Sequence, residues 1–367
     1  MGSDLPCAGT RVGMREMNPA DRTRLARAVR SGDRELRLEV DFGFQNSRLH
    51  SLGYVVSSDV PRAGGVVRLE LKEFCTSARR LAWAKASGCR WGKWTCAFAA
   101  GAGSLDALRW AREHGCSWGQ DTCSYAAYGG HVEALKWARA HGRRLDEDTC
   151  YCAALGGSLE VLRWAREQGC PWDEETCGAA AGGGHLEVLK WAREHHCPWG
   201  PATCERSARN GHLEVLMWAR ERHCLWDATT CQAAARGGHL AVLQWAREHD
   251  CRWNQTTCEH AAKGGHLETL RWAREHDCPW NVWTCQQAAE GGHLEVLQWA
   301  RANDCPWDKT ICERAAASGH LEVLKWAREH GCPWDVRTWI IAAHRGHAHV
   351  LRWLQANGCP GAALGPL

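Results

Sequence analysis

The chain has 367 residues, 45 Lys+Arg against 42 Asp+Glu, a formal net charge of +3, and 22 Cys, 20 His and 23 Trp beside only 4 Phe and 4 Tyr. With both signs of charge interspersed it lacks the basic stripe of a nucleic-acid footprint, and no run of 18 or more apolar residues is available to span a membrane. A Trp count nearly six times the Phe count points to one Trp-bearing segment copied many times, so internal repeats are sought first.

The opening MGSDLPCAGTRVGMREMNPADR has no apolar core of a secretory signal, and Pro6 stands where a myristoylation motif needs Ser or Thr. These features predict an intracellular protein, cytoplasmic with the nucleus as the alternative, whose cysteines are thiols rather than disulfides. Asn18-Pro19 predicts a helix start running to Arg30, Leu25 to Phe44 resembles a degenerate repeat out of register, and Val66 to Leu71 alternates as a strand does. Residues 1–75 are read together as an N-terminal arm or degenerate cap, partly disordered.

Beyond that point the chain is periodic. Trp83, Trp110, Trp137 and so on to Trp353 recur every 27 residues without a slip, and Gly103 to Gly346 form a second column of the same period. A leading half-unit over residues 77–92 is followed by ten full units, the array ending near Cys359 with a tail over 360–367. In the unit from Asp173 to Trp199, the column of Asp173 holds only Asp, Asn or Gly, residues that serve the unpaired first-turn N–H groups, so helix A starts there. Cys177, Ala180 and Ala181 form a narrow small-residue stripe, and Gly183-Gly184 ends the helix. Helix B follows from Leu186, with Leu186, Val188, Leu189, Trp191 and Ala192 over a wide apolar arc. It ends at a column of Gly, His and Asp that includes His196, His223, Asp250, Asp277 and Asp304, types enriched in the left-handed conformation past a helix end. Pro171, Pro198, Pro279, Pro306, Pro333 and Pro360 lie two residues further on.

The segment GHLEVLKWAREHGCPWD, Gly319 to Asp335, with Ala315-Ala316 upstream, resembles the ankyrin repeat from its Gly-His turn through its second helix. The resemblance covers roughly Thr76 to Cys359. It departs in length, 27 residues against about 33, the missing part being the hairpin finger. Thr-Cys, as in Thr203-Cys204, replaces much of the family's Thr-Pro-Leu-His start, and Trp218 and Arg220 stand where leucines are common. What the resemblance implies is an all-α solenoid of stacked helix-turn-helix repeats with reduced fingers, whose helix A side faces a concave groove.

For chemistry, Cys-x6-Cys pairs such as Cys197/Cys204 and Cys224/Cys231, with His212 and His239 nearby, supply zinc-ligand types. Zinc sites, however, place two ligands two to four residues apart and need four converging groups. The cysteines read instead as compact apolar fillers, with thiol-redox or zinc chemistry as the alternative function and Cys152, outside both columns, as the candidate exposed thiol. The His column reads as a turn residue, its alternative being a pH switch. The Trp columns read as inter-repeat core, their alternative being base stacking. There is no nucleophile-base pair, phosphate loop or unique carboxylate pair, so no enzyme, no catalytic residue, no metal site and no cofactor is expected.

What remains is the set of positions that vary between units. Three columns on helix A, at i, i+1 and i+4, share one side of it, and Trp94 and Trp283 extend that side. The candidate partner-binding residues are Trp94, Phe98, Tyr125, Tyr128, Tyr151, Glu205, Arg206, Arg209, His260, Trp283, Gln287 and Arg314, since aromatics and Arg are enriched at binding hot spots. The expected function is a monomeric scaffold or adaptor for a partner protein, with no nucleic acid and no membrane. A ubiquitin-ligase substrate adaptor working through the N-terminal arm is the alternative.

Overall fold

The computed structural model describes residues 37–39, 66–68, 75–86, 92–119 and 121–362. The expected helix from Asn18, the disorder of the arm, the degenerate repeat over Leu25 to Phe44 and the last five residues of the tail lie outside the described residues, apart from a short strand β1 (Arg37–Glu39). It pairs in parallel with β2 (Val66–Arg68), which falls in the alternating segment, Arg37 opposite Val66 and Glu39 opposite Arg68. The remaining elements among the described residues are 21 α-helices.

Two compact units divide the chain, Met1–Trp172 and Asp173–Leu367. The first holds β1, β2, a lone helix Ala78–Ala86 and three helix pairs, from Lys93–Gly101 with Leu105–Glu113 to Glu147–Leu155 with Leu159–Glu167. The second holds seven pairs, from Glu174–Gly182 with Leu186–Glu194 to Val336–His344 with Ala348–Ala356. Within each unit every helix A packs along the helix A of the next repeat, which gives an all-α solenoid of helix-turn-helix repeats. Small side chains permit that approach: Thr203, Cys204, Ser207 and Ala208 are all fully buried on one helix A.

Local chemistry starts and stops each helix. Asp173, Asp227, Asn254, Asn281 and Asp335 accept from the N–H two residues on, at 3.0, 2.8, 3.1, 2.9 and 2.9 Å, each satisfying one first-turn donor. Helix B ends at a left-handed residue as expected. His196, His223, Asp250, Asp277 and Asp304 hold φ of 62, 60, 62, 63 and 62°.

The joint between repeats rests on the histidine and glycine columns. His212 Nε2 lies 3.1 Å from the Gly182 carbonyl, 30 residues earlier, and His266, His293 and His320 reach Arg236, Lys263 and Glu290 carbonyls at 3.0, 3.0 and 3.1 Å. The imidazole N–H donates and so satisfies a helix-end carbonyl of the neighbouring repeat. The ring occupies the space beside the glycine of that neighbour. A Cβ on Gly211 would meet His239 Nδ1 at 2.6 Å, and Gly211 also holds φ +79°. The sequence reading of these histidines as turn residues is therefore incomplete: they hold one repeat to the next.

A second seam forms where helix B ends. Arg193 donates to the Cys197 carbonyl and lies 4.4 Å over Trp199, which meets Trp218 of the following repeat edge-on at 5.9 Å. His195 stacks on Trp191 at 4.2 Å while its Nδ1 sits 2.8 Å from the Trp191 carbonyl. Asn303 and Asn357 make the same contact to Trp299 and Trp353 carbonyls. Inter-repeat packing of the tryptophans is thus as expected, but a core position is not. Trp199, Trp218, Trp226 and Trp245 are half-buried, packed against the core from outside it, because the rings lie across the seam between repeats and leave one edge to water. The deep core is Leu, Val, Ala and Cys, for example Val215, Leu216 and Ala219.

Candidate partner-binding face

The helix A face differs between the two units. In the first, Trp94, Phe98 and Tyr125 form an aromatic cluster, with centroids 6.4 Å apart for Trp94 and Phe98, 6.0 Å for Trp94 and Tyr125, and 5.5 Å for Phe98 and Tyr125. Edge-to-face packing of this kind stabilises a fold. It also hides the rings: Phe98 is 5%, Tyr125 5% and Tyr151 7% exposed. These three are corrected from surface hot spots to packing residues, since large side chains on adjacent repeats close over each other. Burial pushes the Tyr125 hydroxyl up to about 12. Cys152 is corrected likewise. It is 2% exposed and close enough to Tyr125 to affect its ionisation. Tyr128, at 38% exposure, is the aromatic that stays at the surface of this unit, with Trp94 half-buried.

In the second unit the same columns carry charge. Arg206 pairs with Glu175 at 2.5 Å, Arg209 with Glu205 at 2.6 Å, and Glu290 receives both Lys263 at 3.0 Å and Arg314 at 2.6 Å. Three of these bonds link neighbouring repeats, so the face is a row of cross-repeat ion pairs rather than independent side chains. Arg314 also lies 5.7 Å over the Trp283 ring, and Trp283 is 46% exposed. Gln287 is half-buried beside them. His260 is half-buried, and burial first, then the Arg236, Arg209 and Lys263 charges, hold its imidazole below the usual range. Burial pushes Glu290 up, but the hydrogen bond and charge of Lys263 and the charge of Arg314 outweigh it and leave the carboxyl low. Burial raises Glu259, opposed by the Asn281 amide.

Of the residues expected on this face of the second unit, Glu205, Arg206, Arg209, Trp283 and Arg314 are in ion pairs or ring contact, while His260 and Gln287 are half-buried. Sequence reasoning missed Glu175 as the carboxylate that holds Arg206. A signal was present, since Glu175 occupies the same column as Trp94 and Trp283. Glu290, Lys263 and Arg236 belong to the face by the same geometry. Chemically, the face can offer guanidinium and carboxylate groups and one large aromatic ring to another surface. Among the described residues, no three His, Cys, Asp or Glu side chains converge to hold a metal ion, and no helix is long and apolar enough to cross a membrane.

Comparison with known proteins places the repeat. Residues 312–355 match the family model described as ankyrin repeats (many copies). Among solved structures, the chain is similar to the human ASB11 ankyrin repeat domain, at 15% identity over 43% of this chain and 84% of that chain, with a TM-score of 0.36. No curated protein matches the sequence.

Proposed function

Taking the chain as a stack of ankyrin repeats, modules that mediate protein–protein interaction, we propose that it is a non-enzymatic intracellular scaffold or adaptor that binds a partner protein on the helix A face of its second unit. One observation carries this reading. The columns that repeat in every unit are spent on caps, seams and core, whereas the columns that change from unit to unit carry Arg206, Arg209, Trp283 and Arg314 at the surface or half-buried. Positions whose identity the repeat does not fix are free to be shaped by a partner, and Arg and Trp are the residues that anchor protein interfaces. In the ankyrin arrangement this face lines the concave groove, where an extended partner would cross several repeats. Tyr128 and Trp94 would offer a smaller contact on the first unit.

The test is a quantitative pull-down from cell lysate with the full chain and a variant carrying Arg206→Glu, Arg209→Glu, Trp283→Ser and Arg314→Glu, after matching melting curves. Partners retained by the parent and lost by the variant support the helix A face. Partners held equally by both would move recognition to residues 1–75 or to the helix B side.

A further inference from the structure

The cysteines that the binding reading leaves unused are arranged in pairs. In eight repeats the helix A thiol is in hydrogen-bond contact with the thiol that follows helix B of the same repeat, 20 residues on: Cys96 with Cys116, then each pair from Cys150/Cys170 and Cys177/Cys197 through Cys312/Cys332. Independent geometry agrees, since the Cys177, Cys231 and Cys258 sulfurs lie 3.9 Å from the backbone carbonyls of Cys197, Cys251 and Cys278. The second thiol in turn faces the N-cap carbonyl of helix A, as Cys251 does Asp227 at 3.2 Å and Cys197 does Asp173 at 3.3 Å.

We propose that each pair is a modification site, oxidised by a hydroperoxide to a disulfide inside its own repeat. The bond requires the two sulfurs at ~2.05 Å, so each pair must close from hydrogen-bond contact to bonding distance. In the first step the thiolate of one cysteine attacks a peroxide oxygen. An S–O bond forms, the O–O bond breaks, and the departing hydroxide takes the thiol proton as water. The second thiol then attacks that sulfur, the S–O bond breaks, and a second water leaves. Two thiols are oxidised and one hydrogen peroxide is reduced. The sulfur after helix B is suited to react first, because the hydrogen bond from Cys96 brings Cys116 down to about 7, with Thr95, the Cys96 backbone and the Arg112 charge acting the same way against burial. All these sulfurs are buried, so oxidation proceeds at the rate of local repeat opening. The product ties helix A to the end of helix B.

The chain contains its own controls. Cys123 faces Arg143 where the other repeats have the second thiol, and the counterpart of Cys359 is Trp339.

The experiment treats the full-length protein with hydrogen peroxide, alkylates remaining thiols in denaturant, and maps peptides without reduction. The expected result is loss of thiols in twos, links such as Cys204 to Cys224 within single repeats, unmodified Cys123 and Cys359, and full recovery with dithiothreitol. A second variant, Arg143→Cys, is expected to add one bridge from Cys123. Links between different repeats, single-thiol loss as sulfinic or sulfonic acid, no thiol loss at a temperature where repeats open, or no added bridge in the Arg143→Cys protein would each overturn the proposal.

Discussion

His266 illustrates how far one side chain constrains the repeat. It donates to the Arg236 carbonyl and fills the space above Gly238, so His266→Ala loses a helix-end hydrogen bond and a ring contact together. A cost of about 1–3 kcal/mol is expected, read as a lowered urea midpoint. Gly238→Ala adds a Cβ at φ +73° into that ring and is expected to cost more. The left-handed His223 runs the other way. An L-residue there costs about 1–2 kcal/mol, only partly offset by glycine's extra chain entropy, so His223→Gly should raise the melting temperature; a fall would place an unseen contact on the imidazole. Protonation adds a pH dependence. Burial, ahead of the neighbouring His266 and His212 charges, lowers His239, and His260 is lowered too. A group whose folded value lies below its unfolded value of about 6.5 stabilises the fold above that pH and loses the contribution as pH falls through the folded value. Stability is therefore expected to drop below about pH 6.5, and His260→Gln to remove part of the slope in urea titrations at pH 5 and 7.

At the scale of the element, the seam is a set of coupled contacts rather than a single interaction. Trp218 is only half-buried, so Trp218→Ala should cost less than the 3–5 kcal/mol or so of a fully buried ring, about 2 kcal/mol. Its edge-on partner Trp199 makes a double-mutant cycle informative. A coupling of about 0.5–1.5 kcal/mol is expected for the pair, and additivity within error would show that the rings merely share a neighbourhood. Arg220 combines a hydrogen bond to the Cys224 carbonyl with stacking 4.2 Å over Trp226. Lys in its place keeps the charge but loses the planar fork.

For the whole molecule, identical joints imply modularity. Within each unit the repeats pack on their neighbours in sequence, so stability is a sum of repeat and interface terms. Excising one complete period, residues 227–253, brings Asn254 after Trp226 and lets the same types meet: Trp226 with Trp272, and His266 with the Arg209 carbonyl. The shortened chain is expected to fold with unchanged helix content per residue by circular dichroism and a lower melting temperature. Loss of cooperative unfolding would mean that the repeats are not equivalent. The same deletion removes Arg236 and so shortens the charged face.

Period, helix ends and the small-residue stripe were legible in the sequence because they depend on neighbours along the chain. An Asp serves an N–H two residues away, a left-handed residue ends its own helix, and a 27-residue recurrence needs no partner to be seen. Spacing alone puts i, i+1 and i+4 on one side of helix A, but it does not tell which of those positions a neighbouring repeat covers. Tertiary structure decided what depends on residues one repeat away. It buried Phe98, Tyr125, Tyr151 and Cys152, gave the histidines a carbonyl 30 residues back, set the tryptophans across seams rather than in the core, and in eight repeats brought the helix A thiol to the thiol 20 residues on. Distance along the chain hides such contacts, and only packing, through the space left by a missing Cβ or filled by a neighbouring ring, determines them.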